Sequence, residues 1–188
     1  SIVLPMLGEH NVSNALAAIS VSTLLEINHE RIFISLASFK GIKRRFDIHI
    51  SNKNIVYVDD YAHHPEEIKS TIAGVLKSFP NRKLKVIFQP HLYSRTKDFA
   101  NAFAESLSIS DELILLDIFP AREEPINGVD SKMLLDLCSN RSKSILKKEE
   151  VISYLRENKN DLVLTLGAGD ISDLVKPIIN TLSSWRFF

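Results

Sequence analysis

The stretch Val58-Asp59-Asp60-Tyr61-Ala62-His63-His64-Pro65 decides the interpretation of the fold, because a strand pattern ends there and a helix pattern begins. The apolar run Ile55 to Val58 leads into it, and Pro65 is typical of a first helical turn. A second stretch, Phe88 to Thr96, follows the apolar run Leu84 to Phe88 in the same way. Open α/β sheets bind their ligands beyond the carboxyl ends of neighbouring parallel strands. The polar residues of the two stretches therefore predict one ligand site at that edge of a sheet.

Strand and helix patterns alternate along the remainder of the chain. The predicted strands cover residues 46–50, 55–58, 84–88, 112–116, 144–146 and 162–166. The predicted helices cover residues 66–79, 97–107, 132–138, 149–157 and 171–182, and Ser94 or Thr96 is the expected cap of the second. The turn-forming run Ser51 to Asn54 joins the first two strands into a hairpin. These patterns predict an α/β fold with a doubly wound, mainly parallel six-stranded sheet and an antiparallel hairpin edge.

Two further helices are predicted before the sheet. Asn11 is the expected cap of the first, and Asn28 is the expected cap of the second, which covers Glu30 to Ser38 and closes on Lys40 and Gly41. Two helices of that size cannot bury their apolar faces alone. We therefore expect them to pack on a part of the protein beyond this sequence.

The composition limits the classes of partner. Lys and Arg together number 23, as do Asp and Glu, so this balance gives no electrostatic reason to expect nucleic acid or an anionic membrane as partner. No apolar run is long enough to cross a bilayer, and no secretory leader opens the sequence. Cys138 is the only cysteine and cannot form an internal disulfide, which indicates a reducing compartment and a small core residue in a helix. These features predict a cytoplasmic protein.

The chemistry of the predicted site favours a small molecule that carries a carboxylate. His91 and Arg95 are four residues apart and share a face if that stretch is helical. An arginine can bind a carboxylate through two hydrogen bonds, and a nearby histidine can orient or deprotonate an amine. Adjacent His63 and His64 point apart, so both are not expected to bind one ion. A metal held by His63, His91 and Asp60 has no spacing signature, and no metal ligands are assigned.

Three other segments carry weaker signals. Two of them have two interpretations each, and the third has one general interpretation. Gly167 to Asp170 is either a phosphate-binding turn, although it lacks the third glycine of a dinucleotide motif, or a tight turn with Asp170 as a helix cap. Lys43 to Arg45 either contact phosphate or form a solvated basic linker. The loop from Asp117 to Gly128 follows another strand, and such loops commonly touch ligands.

Six motifs together resemble the Mur ligases. The first, Gly8 to Asn14, is similar to the G-x-H-N-x-x-N signature of that family. The other five follow in the family's order, and they are Gly41 to Phe46, Asp59 to Pro65, Phe88 to His91 with Ser94 to Thr96, Ala121 to Ile126, and Gly167 to Asp170. The resemblance extends from Leu4 to about Ile179. It is strongest to the branch that joins L-alanine to UDP-N-acetylmuramate in peptidoglycan synthesis.

The resemblance implies an ATP-dependent ligase with a UDP-substrate domain, a central ATPase domain and a C-terminal Rossmann-like domain. Residues 1–42 would be the end of the central domain and residues 43–188 the whole C-terminal domain. The missing domains of the same chain would be partners and would supply most ligands of Mg²⁺. The central domain's G-x-x-G-K-T phosphate loop does not occur in this sequence, so we expect residues 1–188 alone to be inactive. Gly41 to Arg45 are the expected hinge, and the bacterial cytoplasm is the implied location.

The resemblance also implies roles for individual residues. Asn11 and Asn14 would read adenine, Arg45 would contact phosphate, and Asp60 would contact ribose. Four residues would form the amino-acid pocket, with Arg95 on the alanine carboxylate: Tyr61, His63, His91 and Arg95. Many family members carry arginine after the histidine of Q-P-H, where this chain has Leu92.

Two alternatives stay open. A sister ligase of the same family attaches a recycled murein tripeptide to the same sugar nucleotide, although Gln89 to His91 with Ser94 and Arg95 favour the alanine branch. A non-catalytic α/β domain that binds small molecules is the alternative from another class of protein.

Overall fold

The computed structural model describes residues 9–184, so Gly8 of the first motif lies outside the described residues. The strands are β1 Asp47–Ser51, β2 Val56–Asp60, β3 Leu84–Phe88, β4 Glu112–Leu115, β5 Ser142–Ile145 and β6 Leu162–Leu166. The helices are α1 Glu9–Leu24, α2 His29–Ser38, α3 Pro65–Ser78, α4 Tyr93–Asp98, α5 Ala100–Leu107, α6 Ser131–Leu137, α7 Val151–Glu157 and α8 Val175–Ser183. Two short 3₁₀ helices complete the list, η1 Lys148–Glu150 and η2 Asp170–Leu174.

The six strands form one sheet in the order β1-β2-β6-β3-β4-β5. Strand β1 pairs antiparallel with β2, and the four other pairings are parallel. The predicted sheet and its hairpin edge are thus confirmed. Because β6 inserts between β2 and β3, Asp60, Leu166 and Phe88 lie in register at one edge. The segments that follow these three strands therefore meet.

Apolar layers cover both faces of the sheet, as a doubly wound fold requires. Side chains alternate along each strand, so Val56 and Val58 join one layer while Tyr57 joins the other. Helices α3, α5 and α6 cover the first layer, and α7 and α8 cover the second. Cys138 is buried in the first layer, and burial raises the pKa of its thiol to about 11. Its interpretation as a core residue is confirmed.

Two predicted helix starts, with three candidate cap residues, differ from the structure. Helix α1 begins at Glu9, so Asn11 lies inside it rather than at its cap. Ser94 and Thr96 also lie inside a helix, since α4 already begins at Tyr93 and is separated from α5 by Phe99. The residue before α4 is Leu92 with a φ of 74°, and the Thr96 hydroxyl donates to the Leu92 carbonyl at 2.8 Å. That internal bond occupies the hydroxyl, so it does not cap a helix.

The cap expected at Asn28 is confirmed, because its side chain accepts the Glu30 N–H at 2.8 Å. Helices α1 and α2 pack on each other but leave large apolar side chains exposed, including Leu16, Leu24 and Ile34. Among residues 9–184, no helix is both long enough and apolar enough to cross a membrane.

Candidate active site at the carboxyl edge of the sheet

Asp60 anchors the site at the end of β2. Its carboxylate accepts the backbone N–H of Phe46 and that of Ala62, both at 2.7 Å. Burial raises the pKa of Asp60, and these two hydrogen bonds act in the opposite direction. One acidic side chain thus fixes the segment before β1 and the segment after β2. It stays 4% exposed, at the wall of a cavity.

That cavity has a volume of about 650 Å³, within the range of small-molecule sites. All four residues expected to contact nucleotide line it: Asn11, Asn14, Arg45 and Asp60. The remaining wall comes from α3 and from the segment after α2, through Glu66, Glu67, Ser70, Thr71, Phe39 and Ile42. The cavity therefore lies between the first helix and the sheet domain.

Three rings form a row beside this cavity. The Tyr61 and His63 ring centroids are 5.2 Å apart, and those of His63 and His91 are 6.0 Å apart. His91 also stacks on Phe119, at 5.6 Å between centroids. The structure thus brings together the predicted residues that follow β2, Tyr61 and His63, with the one that follows β3, His91. Phe119 joins them from the loop that follows β4.

The orientation of His63 follows from its hydrogen bonds. Its Nδ1 lies 3.0 Å from the carbonyl oxygen of Tyr61, which can only accept, so Nδ1 carries a proton. In the neutral ring, Nε2 is then left as an acceptor. The neighbouring Glu67 carboxylate accepts the backbone N–H groups of His63 and His64 and so caps α3. Burial opposes the effect of these bonds, but they lower the pKa of Glu67 below its ordinary value.

His91 and Arg95 provide the unsatisfied polar atoms of the site. The Nδ1 of His91 and the Nη1 of Arg95 are buried, and neither has a hydrogen-bond partner among residues 9–184. Burial lowers the pKa of His91, and the positive charge of Arg95 lowers it further. His91 is therefore a neutral ring at neutral pH. Buried polar atoms are normally paired, so these two indicate a place for a ligand.

Glu123 lies beside these residues, and the sequence assigned it no individual role. Its carboxylate accepts the backbone N–H of Ser94 at 2.9 Å and also accepts the Ser94 hydroxyl. These bonds lower the pKa of Glu123, so it is a carboxylate at neutral pH. They join the loop after β4 to the first turn of α4, which carries Arg95. A carboxylate near a helix N-terminus is favourable, and this spacing cannot be recognised from sequence alone.

Gln89 and Asp170 explain the glycine-rich turn after β6. Gln89 donates to the Asp170 carboxylate at 2.6 Å and accepts the Ile171 N–H at 2.9 Å. Asp170 also binds Lys148. It is the first residue of η2, whose cap position is Gly169, so it does not cap a helix as the second interpretation of this turn proposed. A Cβ at Gly169 would lie 2.5 Å from the Gln89 side-chain oxygen and 2.7 Å from the Phe119 ring. The glycine thus allows close packing against Gln89 and Phe119.

The basic run before β1 is divided between two roles. Arg45 is exposed and lines the cavity, as a phosphate contact requires. Arg44 is turned inwards and forms an ion pair with the buried Asp59 at 2.9 Å. Arg44 is therefore not available as a phosphate ligand, contrary to one of the two interpretations of this run.

Comparison with known proteins agrees with these motifs. Residues 44–169 match the family described as Mur ligase, glutamate ligase domain. The UDP-N-acetylmuramate–L-alanine ligase of Flavobacterium psychrophilum is 49% identical over 168 residues, which cover 89% of this chain and 38% of that relative. This chain thus spans about two fifths of the length of such relatives.

Two solved structures show the same fold. A UDP-N-acetylmuramate–alanine ligase from Thermotoga maritima aligns with a TM-score of 0.80 at 28% identity, covering 98% of this chain and 40% of that one. A murein peptide ligase from Psychrobacter arcticus aligns with a TM-score of 0.68 at 23% identity, covering 100% of this chain and 40% of that one. At this lower identity, the second likeness concerns the fold alone. Together with the family match, the order of the motifs and the residues gathered at the sheet edge lead to one conclusion: the chain belongs to the Mur ligase family.

Proposed function

We propose that this chain is the C-terminal part of an ATP-dependent ligase that joins L-alanine to UDP-N-acetylmuramate in peptidoglycan synthesis. The observation that carries the proposal is the pair of buried, unpaired nitrogens on His91 and Arg95. A carboxylate at Arg95 would satisfy its guanidinium through a charge-assisted hydrogen bond. The 49% identical relative is a UDP-N-acetylmuramate–L-alanine ligase, which supports alanine as the amino acid.

The two histidines suit the amine of the bound amino acid. An ammonium group cannot attack, so it must lose a proton before it forms a bond to carbon. His91 is neutral because burial and Arg95 lower its pKa. The Nδ1 of His63 faces the Tyr61 carbonyl, which leaves Nε2 as the acceptor when that ring is unprotonated. One of these rings therefore takes the proton, the amine nitrogen bonds to the activated carboxyl carbon, and the phosphate leaves. Arg95 holds the alanine carboxylate away from the reacting carbon.

The cavity beside Arg45 fits an adenine nucleotide. Amide side chains such as Asn11 and Asn14 match the paired donor and acceptor edge of adenine. Arg45 presents an exposed guanidinium to phosphate, and the remaining lone pairs of Asp60 suit a ribose hydroxyl. ATP would supply the phosphoryl group that turns the poor leaving oxygen of the sugar carboxylate into phosphate. Among residues 9–184, no three His, Cys, Asp or Glu side chains are grouped to hold a metal, so the proposal places Mg²⁺ ligands outside this range.

We place the domain boundary near residue 42, with α1 and α2 at the end of the central domain. Their exposed apolar side chains, including Leu16, Leu24 and Ile34, support a partner domain of the same protein on that side. Residues 43–188 would then form the C-terminal domain, and the start of the family match at residue 44 supports this boundary. The reaction is proposed to take place in the bacterial cytoplasm.

The proposal is tested with the full-length protein, ATP, UDP-N-acetylmuramate and one of two amine substrates. We expect phosphate release and an amide product with L-alanine, and at least tenfold lower kcat/KM with the murein tripeptide. Preference for the tripeptide would support the sister ligase instead. Nucleotide and amino-acid binding without product in the full-length protein would support a binding domain. Residues 1–188 alone should release no phosphate and form no product, because they lack the G-x-x-G-K-T loop that positions the transferred phosphate.

A further inference from the structure

Arg44 connects the ends of two neighbouring strands. Its Nε lies 2.9 Å from Oδ2 of Asp59 in β2, and its Nη2 donates to the carbonyl of Gly167, just after β6, at 2.7 Å. The Arg44 side chain is 14% exposed and that of Asp59 is fully buried. The planar guanidinium reaches both acceptors at once, which an ammonium group on a single stem does not reproduce.

Asp59 is a rigid anchor for this guanidinium. Its other oxygen accepts the Thr165 hydroxyl at 2.7 Å, and Thr165 in turn lies 3.0 Å from the Tyr57 hydroxyl. All three side chains are fully buried. Each member of the chain therefore has a fixed partner, and the position of Arg44 is set by the core of the sheet.

Arg44 also holds Tyr61, which belongs to the amino-acid side of the site. The Arg44 carbonyl accepts the Tyr61 N–H at 2.7 Å, and Arg44 itself has a φ of 61°. The guanidinium carbons of Arg44 and Arg45 lie 5.4 Å and 5.5 Å from the Tyr61 ring centroid. Both are within cation–π distance of the ring. Arg45 is itself on the wall of the proposed nucleotide cavity.

We infer that Arg44 is a positioning residue that joins the nucleotide side of the site to the amino-acid side. It fixes the position of Arg45 through the shared backbone and that of Tyr61 through a hydrogen bond and a ring contact. Its own bonds to Asp59 and Gly167 hold all three residues at the strand ends. This inference rests on the proposed function, since it assigns Arg45 to nucleotide and Tyr61 to amino acid. The consequence is that loss of Arg44 impairs the use of both substrates together.

Arg82 provides a matched control, because it precedes β3 at the amino end of the parallel strands, away from the site. It pairs with Asp161 at 2.7 Å and donates to the Asn52 carbonyl at 2.8 Å, so it makes the same kinds of contact. Its side chain is similarly covered, at 20% exposure. Arg82→Gln therefore removes an equivalent ion pair and carbonyl bond without touching the site.

The experiment measures KM for ATP and for L-alanine in the full-length enzyme carrying Arg44→Gln, Arg44→Lys or Arg82→Gln. We expect Arg44→Gln to raise both KM values at least tenfold, Arg44→Lys to raise both by a smaller factor, and Arg82→Gln to change neither by more than twofold. If Arg44→Gln does not fold, the two KM values of the Arg44→Lys enzyme are used instead. The inference is overturned if the Arg44 variant changes only one KM or neither, or if Arg82→Gln raises both equally. An inactive wild-type enzyme would instead contradict the proposed function, so the two failures are distinguishable.

Discussion

The carboxylate of Glu123 accepts both the backbone N–H and the hydroxyl of Ser94, so it holds the first turn of α4 against the loop that follows β4. Arg95 is the next residue of that turn. The orientation of the proposed carboxylate ligand thus depends on an acidic residue from another strand end. Glu123 also raises the pKa of His91 through its charge, so it acts on two residues of the proposed amino-acid pocket.

Glu123→Ala should raise the KM for L-alanine about tenfold in the full-length enzyme, because the α4 turn loses its partner and Arg95 moves. The KM for ATP should change by less than about twofold, since Glu123 is not among the residues that line the proposed nucleotide cavity. The adjacent exposed Glu124 is the control, and Glu124→Ala should leave both constants unchanged. Equal effects of the two substitutions would show that Glu123 does not position α4.

The titration of His91 gives a second prediction. Its pKa is lowered, first by burial and then by Arg95, so it should titrate below the ordinary value of about 6.5. The folded protein then binds fewer protons than the unfolded chain in this window. The contribution of His91 therefore lowers the free energy of unfolding as the pH falls below about 6.5. Histidine ring signals in NMR spectra of residues 1–188, recorded between about pH 5 and 8, measure this directly.

Arg95→Ala should raise the pKa of His91, because a neighbouring positive charge disfavours a protonated ring. Arg156→Ala is the control, since Arg156 is exposed on α7 and is not among the groups that shift His91. A His91 that titrates at or above the ordinary value in the wild type would contradict the burial argument.

Gly169→Ala should lower both stability and catalysis. The added Cβ would meet the Gln89 side chain at 2.5 Å and Phe119 at 2.7 Å, and Phe119 supports the His91 ring. Overpacking of this kind typically costs about 1–3 kcal/mol of unfolding free energy. Gly128→Ala is the control, because its Cβ would meet nothing within 4 Å although its φ is 78°. It should cost about 1 kcal/mol and leave kcat/KM unchanged. Full activity of Gly169→Ala would show that the close packing is not required.

Gly41 is the first residue of the proposed hinge segment, Gly41 to Arg45, and it has a φ of 83°. Proline cannot adopt that angle, so Gly41→Pro should lower kcat while thermal unfolding of the sheet domain stays unchanged. Asn81→Pro is the control, because Asn81 has a φ of 65° in the turn before β3. Limited proteolysis at residues 40–45 should slow when nucleotide and substrates bind. A normal rate for the Gly41 variant, together with cleavage that ligands do not affect, would exclude the hinge.

Much of the fold was predictable because the signals were local. The apolar runs that end at Phe88 and Leu166 predict two strand ends, and Pro65 predicts one helix start, as the structure confirms. Strand β2 instead continues two residues past the apolar run, from Val58 to Asp60. The start of α4 was missed because Leu92, rather than a short polar residue, precedes it with a positive φ. Likewise, Asn11 resembled a cap although the helix begins two residues earlier, since a cap is a geometry and not a residue type.

The residues of the candidate site were easier to predict than the residues that hold them in place. The Q-P-H and D-D-Y-A-H-H-P motifs named residues that the structure brings together, because both motifs directly follow strands. The interactions of Glu123 with Ser94 and of Arg44 with Asp59 join residues 29 and 15 positions apart. No periodic pattern relates such pairs, so only the folded arrangement identifies them.

In the proposed function, the carboxyl edge of this sheet presents a carboxylate-binding arginine to an amino acid and a separate cavity to nucleotide. The most direct test is steady-state kinetics of Arg95→Ala in the full-length enzyme, with Arg156→Ala as the control. We predict that kcat/KM for L-alanine falls at least tenfold, since losing the partner of a carboxylate costs about 2–5 kcal/mol, while the KM for ATP changes little. An unchanged kcat/KM for L-alanine, or an equal loss for ATP, would contradict the account.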